Sequence, residues 1–539
     1  ILVTWPDGMI SREKNIKADQ RIELQQRKAI SPDRKPPAAT ATLMQSLPDF
    51  PLSYQHKEND FVDFDRDRLI FHMISAEGPR MSVGDVNNDL LIDLFLGGAS
   101  GQPGSLFIQA SDGSFRSTNE KLLEEDRQSE DEEAVFFDAD GDGDADLLVV
   151  SGGNEFMRGH MALADRLYLN DGNGGFSRKS DAFGKEVFES GSCVAPADFD
   201  GDGDIDLFIG TRLLPAVYGI PVSGYLWAND GQGNFEDVSD KVAPGLKQIG
   251  LITDAEWKDL DGDGLLDLVV VGEWMPVSIF RNDGRHLALS TDSGLQDAKG
   301  LWNCIRIADM DSDGKPDLVL GNHGLNTRLK ASYEKPITLY INDFDNNRTP
   351  EQIITMYNGE QAYPLTRRTD LVMQMPVLKK KYLYFSDYEE QTIDEILDEK
   401  ALKTAAKVEV TNTASSIAWN QGNGRFSLES LPTEAQFAPV YALLIGDFDA
   451  DHRPDILLGG NFYRSKPEIG MYDASYGLVL KGQESRGFLP LSSQQSGINV
   501  QGEVRDLQSI SWRNNQIILI ARNNDSLVAL KIIEGPPLQ

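Results

Sequence analysis

The sequence predicts an all-β fold: a seven-bladed β-propeller with a helical insertion and a short N-terminal β segment. Three observations carry that reading. A nine-residue acidic loop recurs seven times, a short apolar run follows most copies, and Asn-Asp-Gly hairpin signals lie downstream of several.

The loop has the form D-x-[DN]-x-[DN]-x-x-x-[DE], and its odd positions converge when the chain turns tightly. Its seven copies supply candidate metal ligands as follows. Loop one has Asp85, Asn87, Asp89 and Asp93, loop two Asp138, Asp140, Asp142 and Asp146, and loop three Asp198, Asp200, Asp202 and Asp206. Loop four has Asp259, Asp261, Asp263 and Asp267, and loop five Asp309, Asp311, Asp313 and Asp317. Loop six has Asp343, Asp345, Asn347 and Glu351, and loop seven Asp447, Asp449, Asp451 and Asp455.

Such hard oxygen donors, with a backbone carbonyl at position 7, suit Ca²⁺; Zn²⁺ would want His or Cys, and Mg²⁺ keeps more of its own water. Up to seven structural Ca²⁺ ions are therefore expected. In loop two Asp144 makes a fifth acid, and the mutual repulsion of so many carboxylates opposes the turn unless a cation enters. Gly143, Gly203, Gly264 and Gly314 allow a sharp turn at position 6, whereas Leu90, Arg348 and His452 replace glycine in loops one, six and seven.

Runs such as Leu147-Leu148-Val149-Val150 and Leu268-Val269-Val270-Val271 are β-branched and too short for helices, so they read as buried strands. The segments Asn170-Asp171-Gly172, Asn229-Asp230-Gly231, Asn282-Asp283-Gly284 and Asn420-Gln421-Gly422 supply the positive φ of tight hairpins. Most loop starts lie 50 to 61 residues apart, room for a four-stranded blade, so seven loops suggest seven blades. Only 34 residues separate the starts at Asp309 and Asp343, and 104 separate Asp343 from Asp447. An insertion over about 360–408 fills that interval and reads as helical over Thr366–Lys380 and Ser386–Ala406, with Ser386 as N-cap. It is expected to cap one face of the propeller or to bind a partner there.

Residues 1–30 read as part of a separate β module, 31–50 as a Pro-rich linker and 51–539 as the propeller. The chain opens inside an apparent strand, Ile1-Leu2-Val3-Thr4-Trp5, and is read as part of a longer protein. A formal charge of −34 argues against nucleic-acid partners, and no apolar run is long enough to span a membrane. Cys193 and Cys304 are the only cysteines; two blades apart, they are expected to be free thiols.

Alignment on the first Asp of each loop puts Arg80, Glu133, Cys193, Asp254, Cys304, Thr338 and Ala442 at one strand position. Strand alternation adds Glu256 and Arg306 to the same face, so Arg80, Glu133, Asp254, Glu256 and Arg306 are candidate ligand-binding residues lining the axis. No nucleophile elbow, zincin, Walker or dinucleotide motif occurs.

The loops with their flanks, such as Ala195-Pro196-Ala197-Asp198-Phe199-Asp200-Gly201-Asp202-Gly203-Asp204-Ile205-Asp206-Leu207, resemble the FG-GAP/VCBS repeats of integrin-α-type propellers. Thr4-Trp5-Pro6-Asp7-Gly8 and Asn15-Ile16-Lys17-Ala18-Asp19-Gln20 are similar to the ASPIC/UnbV module of cartilage-acidic-protein-like proteins. The resemblance implies an extracellular or surface-exposed calcium-binding propeller, such as the surface lipoproteins of Bacteroidetes-type bacteria. The expected function is recognition, adhesion or assembly with a protein or glycan partner, as an accessory of an outer-membrane complex, and not catalysis. The alternative is a polysaccharide lyase-like enzyme or a glycan-binding protein that uses the axial funnel.

Overall fold

A computed structural model describes residues 2–5, 9–17, 21–28, 42–184, 188–484 and 486–533. The chain divides into two units, Ile1–Thr42 and Leu43–Gln539. In the first, Leu2–Thr4 pairs with Ile10–Arg12 as an antiparallel ribbon, and Trp5 Nε1 donates to Ser11 Oγ at 2.9 Å. Residues 6–8 and 18–20, quoted above for the module resemblance, and the linker segment 31–40 lie outside the described residues.

The second unit is built from antiparallel sheets. Among the described residues there are eight, seven of four strands and one of five. The first strands of seven of them touch in cyclic order: Met81–Gly84, Glu130–Phe137, Ser190–Ala197, Leu251–Lys258, Cys304–Ala308, Val440–Gly446, Glu503–Trp512 and back to Met81–Gly84. That ring is a β-propeller, and its sheets are numbered here as blades one to seven. Second strands carry the apolar runs between neighbouring blades; nine of the ten residues of Asp267–Pro276 are buried. Burial on both faces explains why these strands read as continuous Val and Leu and not as an alternation.

Blade seven is completed by Met44–Ser46, which pairs with Val528–Ile532 as its outermost strand. Residues 43–50, expected as linker, therefore belong to the propeller unit, with Leu43 and Met44 in its core.

The structure redistributes the loops. Acidic loops one to five join the first and second strands of blades one to five, and loop seven does the same in blade six. Loop six does not belong to the ring. It joins Ile337–Asn342 to Glu351–Asn358 in an eighth sheet, which continues to Gln361–Pro364 on one side and Ala406–Val410 on the other. Blade seven turns through Arg513-Asn514 and has no acidic loop. Counting loops therefore assigned one blade to the wrong stretch of chain.

The inserted segment is larger and less helical than its sequence suggests. It leaves blade five after Asp317–Gly321, builds the eighth sheet, and returns at Ser416–Asn420. Its helices are short: Arg368–Gln374, Ile393–Ile396 and Glu399–Thr404, with single 3-10 turns at Pro376–Lys380 and Phe385–Asp387. Ser386 lies inside one of those turns, and the helix caps are Thr392 and Asp398. Pro376 ends the first helical stretch, and Thr392 with Glu395 forms a capping box that starts a later one. Leu371, Met375, Tyr382, Ile393 and Ile396 pack with Ile353 of the eighth sheet, so the helices back this sheet.

Strand alternation places all the blade loops on one face of the ring with the Asn-Gly hairpins, and the insertion on the opposite face. On the loop face a repeated latch joins adjacent blades. Asn229 Nδ2 donates to Ala139 O of blade two at 2.9 Å and to Ile205 O of its own loop at 3.0 Å. Asn170, Asn282 and Asn420 make the equivalent pairs of bonds. Replacing Asn229 with Ala leaves two carbonyls without their donor at a buried seam and is expected to cost about 1–3 kcal/mol. A denaturant midpoint unchanged in Asn229→Ala would count against the latch.

Candidate metal centre

Each loop is organised by its first carboxylate, which accepts backbone N–H bonds from inside the turn. Asp138 Oδ1 takes Gly141 N at 2.8 Å and Oδ2 takes Gly143 N at 3.0 Å. The loops without glycine make the same turn: Leu90, Arg348 and His452 donate to Asp85, Asp343 and Asp447 at 2.7, 2.9 and 2.9 Å. They do so at φ of 68°, 73° and 66°, a left-handed backbone that costs a non-glycine residue about 1 kcal/mol or more. The side-chain identity at position 6 therefore changes the strain in the turn and not its path.

The last carboxylate is held differently. Asp146 is buried; its Oδ2 accepts Ala139 N at 2.9 Å and its Oδ1 accepts Asn170 N at 2.7 Å. The same pair of bonds recurs at Asp93, Asp206, Asp267, Asp317 and Asp455. Burial pushes the Asp146 carboxyl up to about 6 and that of Asp206 to about 7, with neighbouring loop acids adding to the rise. A cation at the centre of the loop would reverse that pressure.

Carboxylate oxygens of Asp138, Asp140 and Asp146 lie within 4.8 Å of one another, as do those of Asp198, Asp200 and Asp206. Asp309, Asp311 and Asp317, and Asp343, Asp345 and Glu351 form equivalent groups, and loop four gathers Asp259, Asp261 and Asp263 instead. The all-oxygen donor chemistry of these converging carboxylates fits Ca²⁺. Asp144 stands outside its group and accepts Asn88 Nδ2 of the neighbouring loop at 2.9 Å.

The loops differ in how far the protein neutralises them. Among the described residues, no Lys or Arg pairs with the carboxylates of loops two, three and six. In loop four Arg281 Nη1 approaches Asp261 at 3.4 Å. In loop five Lys315 Nζ lies 2.6 Å from Asp313 and Arg486 Nε 2.5 Å from Asp311, both on half-exposed side chains. In loop seven Lys481 Nζ lies 2.5 Å from Asp449 and 3.1 Å from Asp451.

The axial residues do come together, but most are already engaged. Arg80 Nε stands 4.0 Å from Glu133, and Arg306 Nη1 3.3 Å from Asp254. Asp254 also accepts Ile305 N at 2.9 Å and Glu256 accepts Ile307 N at 3.1 Å, so both stitch blade four to blade five. Asp506, missed because blade seven has no acidic loop to align on, accepts Met81 N at 2.8 Å and stitches the last blade to the first. A β-bulge sits just before Glu133, Cys193, Asp254, Ala442 and Asp506 and turns these residues to a common face. Thr338 lies in the eighth sheet and not at the axis. Cys193 and Cys304 are free and buried, and burial pushes both thiols up.

At the end where the first strands begin, the N-terminal stretch 54–79 crosses the ring. Asn523 Nδ2 of blade seven donates to Gly78 O at 2.7 Å, Arg212 of blade three bridges Glu77 at 3.1 Å and Glu273 of blade four at 3.2 Å, and Met73 N donates to Arg464 O of blade six at 2.9 Å. His56, Glu58, Asp63, His72 and Glu77 are all buried there. The stretch thus ties blades three, four, six and seven together across that end of the ring. No sequence signal marked this plug, because its polar residues sit in a segment without repeat or periodicity.

A model of the FG-GAP-like repeat family matches residues 85–149, 138–209 and 259–320. Those residues are similar to FG-GAP-like repeats, and they lie in blades one to five of the β-propeller. No curated protein matches it. Solved structures similar to it include the Dos1 propeller, with 8% identity over 90% of this chain and 97% of that one and a TM-score of 0.34. YCF48 bound to D1 peptide shows 9% identity over 91% and 100%, with a TM-score of 0.38. Raptor of Chaetomium thermophilum shows 9% identity over 87% of this chain and 30% of its own, with a TM-score of 0.36. Among the described residues no helix is long and apolar enough to cross a membrane.

Proposed function

We propose that the chain is a calcium-stabilised scaffold that works outside the cell, recognising a protein or glycan partner at the cell surface as part of an adhesive or outer-membrane assembly. The observation that carries this reading is the set of converging carboxylates in loops two, three and six without a protein cation. Exposed all-oxygen loops of this kind suit the millimolar calcium available outside cells, where extracellular modules bind with dissociation constants of about 10⁻⁴–10⁻³ M. Calcium would supply the positive charge that holds each loop closed. The loop's own residues orient it: position 1 fixes the turn and position 9 ties it to the adjoining strands.

The insertion face is the surface assigned to recognition. There Leu325, Phe437 and Met471 are exposed beside Arg328, Lys330 and Tyr472 around a cavity of about 370 Å³. A mostly polar lining in which Arg328 and Lys330 outnumber the one acid, Asp473, suits an acidic protein segment or an acidic glycan. The engagement of Asp254, Glu256 and Asp506 with backbone N–H groups favours a structural axis over a lyase centre.

Cross-linking capture from the native cell envelope tests the reading. A partner retained by the wild type and lost with Phe437→Asp plus Met471→Asp, at unchanged melting, is the expected result. Unsaturated sugar ends appearing when acidic polysaccharides are incubated with the protein would replace it with the lyase.

A further inference from the structure

We propose that loop seven is closed by the protein's own ammonium group: Lys481 stands where a metal ion would sit, so Asp447–Asp455 takes up no calcium. The inference rests on reading the other loops as calcium sites. It concerns the one blade loop in which the donor set is already filled.

Register places Lys481 at the loop. In each of blades one to six a residue of the third strand donates its backbone N–H to the last carboxylate: Gln109, Asn170, Asn229, Asn282, Asn420 and Gly482. The residue before it is Ile108, Leu169, Ala228, Arg281, Trp419 or Lys481. Four of these six carry no charge, and Arg281 reaches only the edge of its loop, 3.4 Å from Asp261. Lys481 alone enters, with Nζ 2.5 Å from Asp449 Oδ2 and 3.1 Å from Asp451 Oδ2.

Burial separates this contact from the cations around loop five. The Lys481 side chain is 9% exposed, and those of Asp449 and Asp451 are 1% and 6% exposed. Lys315 and Arg486 are 43% and 42% exposed, so solvent screens them and they can swing aside for an ion. Arg453 Nη2 also pairs with Asp451, so two protein cations face the four acids of loop seven. A divalent ion at that centre would meet the ammonium at contact distance.

The test counts ions on the full chain by equilibrium dialysis with radioactive calcium, for the wild type, Lys481→Met, Asp449→Asn and, as a reference, Asp140→Asn in loop two. The expected result is one extra ion bound by Lys481→Met, none lost by Asp449→Asn, and one lost by Asp140→Asn. Where Asp140→Asn loses its ion, one ion lost by Asp449→Asn, or none gained by Lys481→Met, overturns the proposal.

Melting in excess chelator provides a reading independent of ion number. Lys481→Met should melt below the wild type there and be rescued by millimolar calcium, and Lys481→Arg should melt close to the wild type. If no variant binds calcium, the calcium reading of the other loops fails, while a low melting point of Lys481→Met in chelator still supports the ammonium as the closing charge. Identical melting of Lys481→Met and wild type in chelator overturns it.

Discussion

Removing calcium is expected to lower the thermal midpoint by more than about 10 °C, because several sites each contribute roughly 2–3 kcal/mol at saturating ion and the contributions act together. Loops two, three and six should account for most of the loss, since their clustered acids have no protein cation to fall back on. At neutral pH the acids shed only part of their charge: burial lifts Asp146 to about 6 and Asp206 and Glu351 to about 7. The chelated protein therefore keeps much of the repulsion. Magnesium at equal concentration should restore little, because it holds its water and prefers a tighter octahedral cage. A melting curve unchanged in excess chelator would remove the metal from this account.

The second large effect lies at the opposite end of the ring. Arg212 is the shared cation between Glu77 and Glu273, and all three side chains are buried; Glu273 also accepts Tyr218 Oη at 2.7 Å and faces His72 at 3.4 Å. The guanidinium, with burial opposing it, holds the Glu273 carboxyl down at about 2. Arg212→Met strands two carboxylates in the interior and should cost about 3–5 kcal/mol, read as a shift in the denaturant midpoint with calcium present. Adding Glu77→Gln and Glu273→Gln to that variant should recover part of the loss, because uncharged partners no longer need the cation. Recovery absent in the triple variant would mean that Arg212 acts through packing alone.

What the sequence made legible follows from range. The acidic loop, its flanking strands and the Asn-Gly hairpins are each set within about ten residues, and the register of a repeated unit carries the first-strand alignment from blade to blade. Among the residues it aligned, the structure pairs Arg80 with Glu133 and Arg306 with Asp254. The alignment failed for Thr338 and Asp506 for opposite reasons: one follows the repeat pattern outside the ring, the other lies in the ring without the pattern. The pairing of Met44 with Ile532 and the plug at 54–79 depend on contacts hundreds of residues apart, which no local pattern encodes. The insertion misled because short amphipathic stretches interrupted by Pro376 and Lys380-Lys381-Tyr382 read as continuous helices, whereas an underlying sheet holds them as separate turns.

The strand Met44–Ser46 beside Val528–Ile532 also makes the propeller a mechanical clasp. Tension applied between the two ends of the unit is borne first by this single antiparallel pair of three residues. Under such a load the ring would yield there before any other blade, opening like a buckle while loops two to five stay folded. Cross-linking the pair through Gln45→Cys and Lys531→Cys, which face each other in register, should raise the force needed to open the molecule in single-molecule pulling.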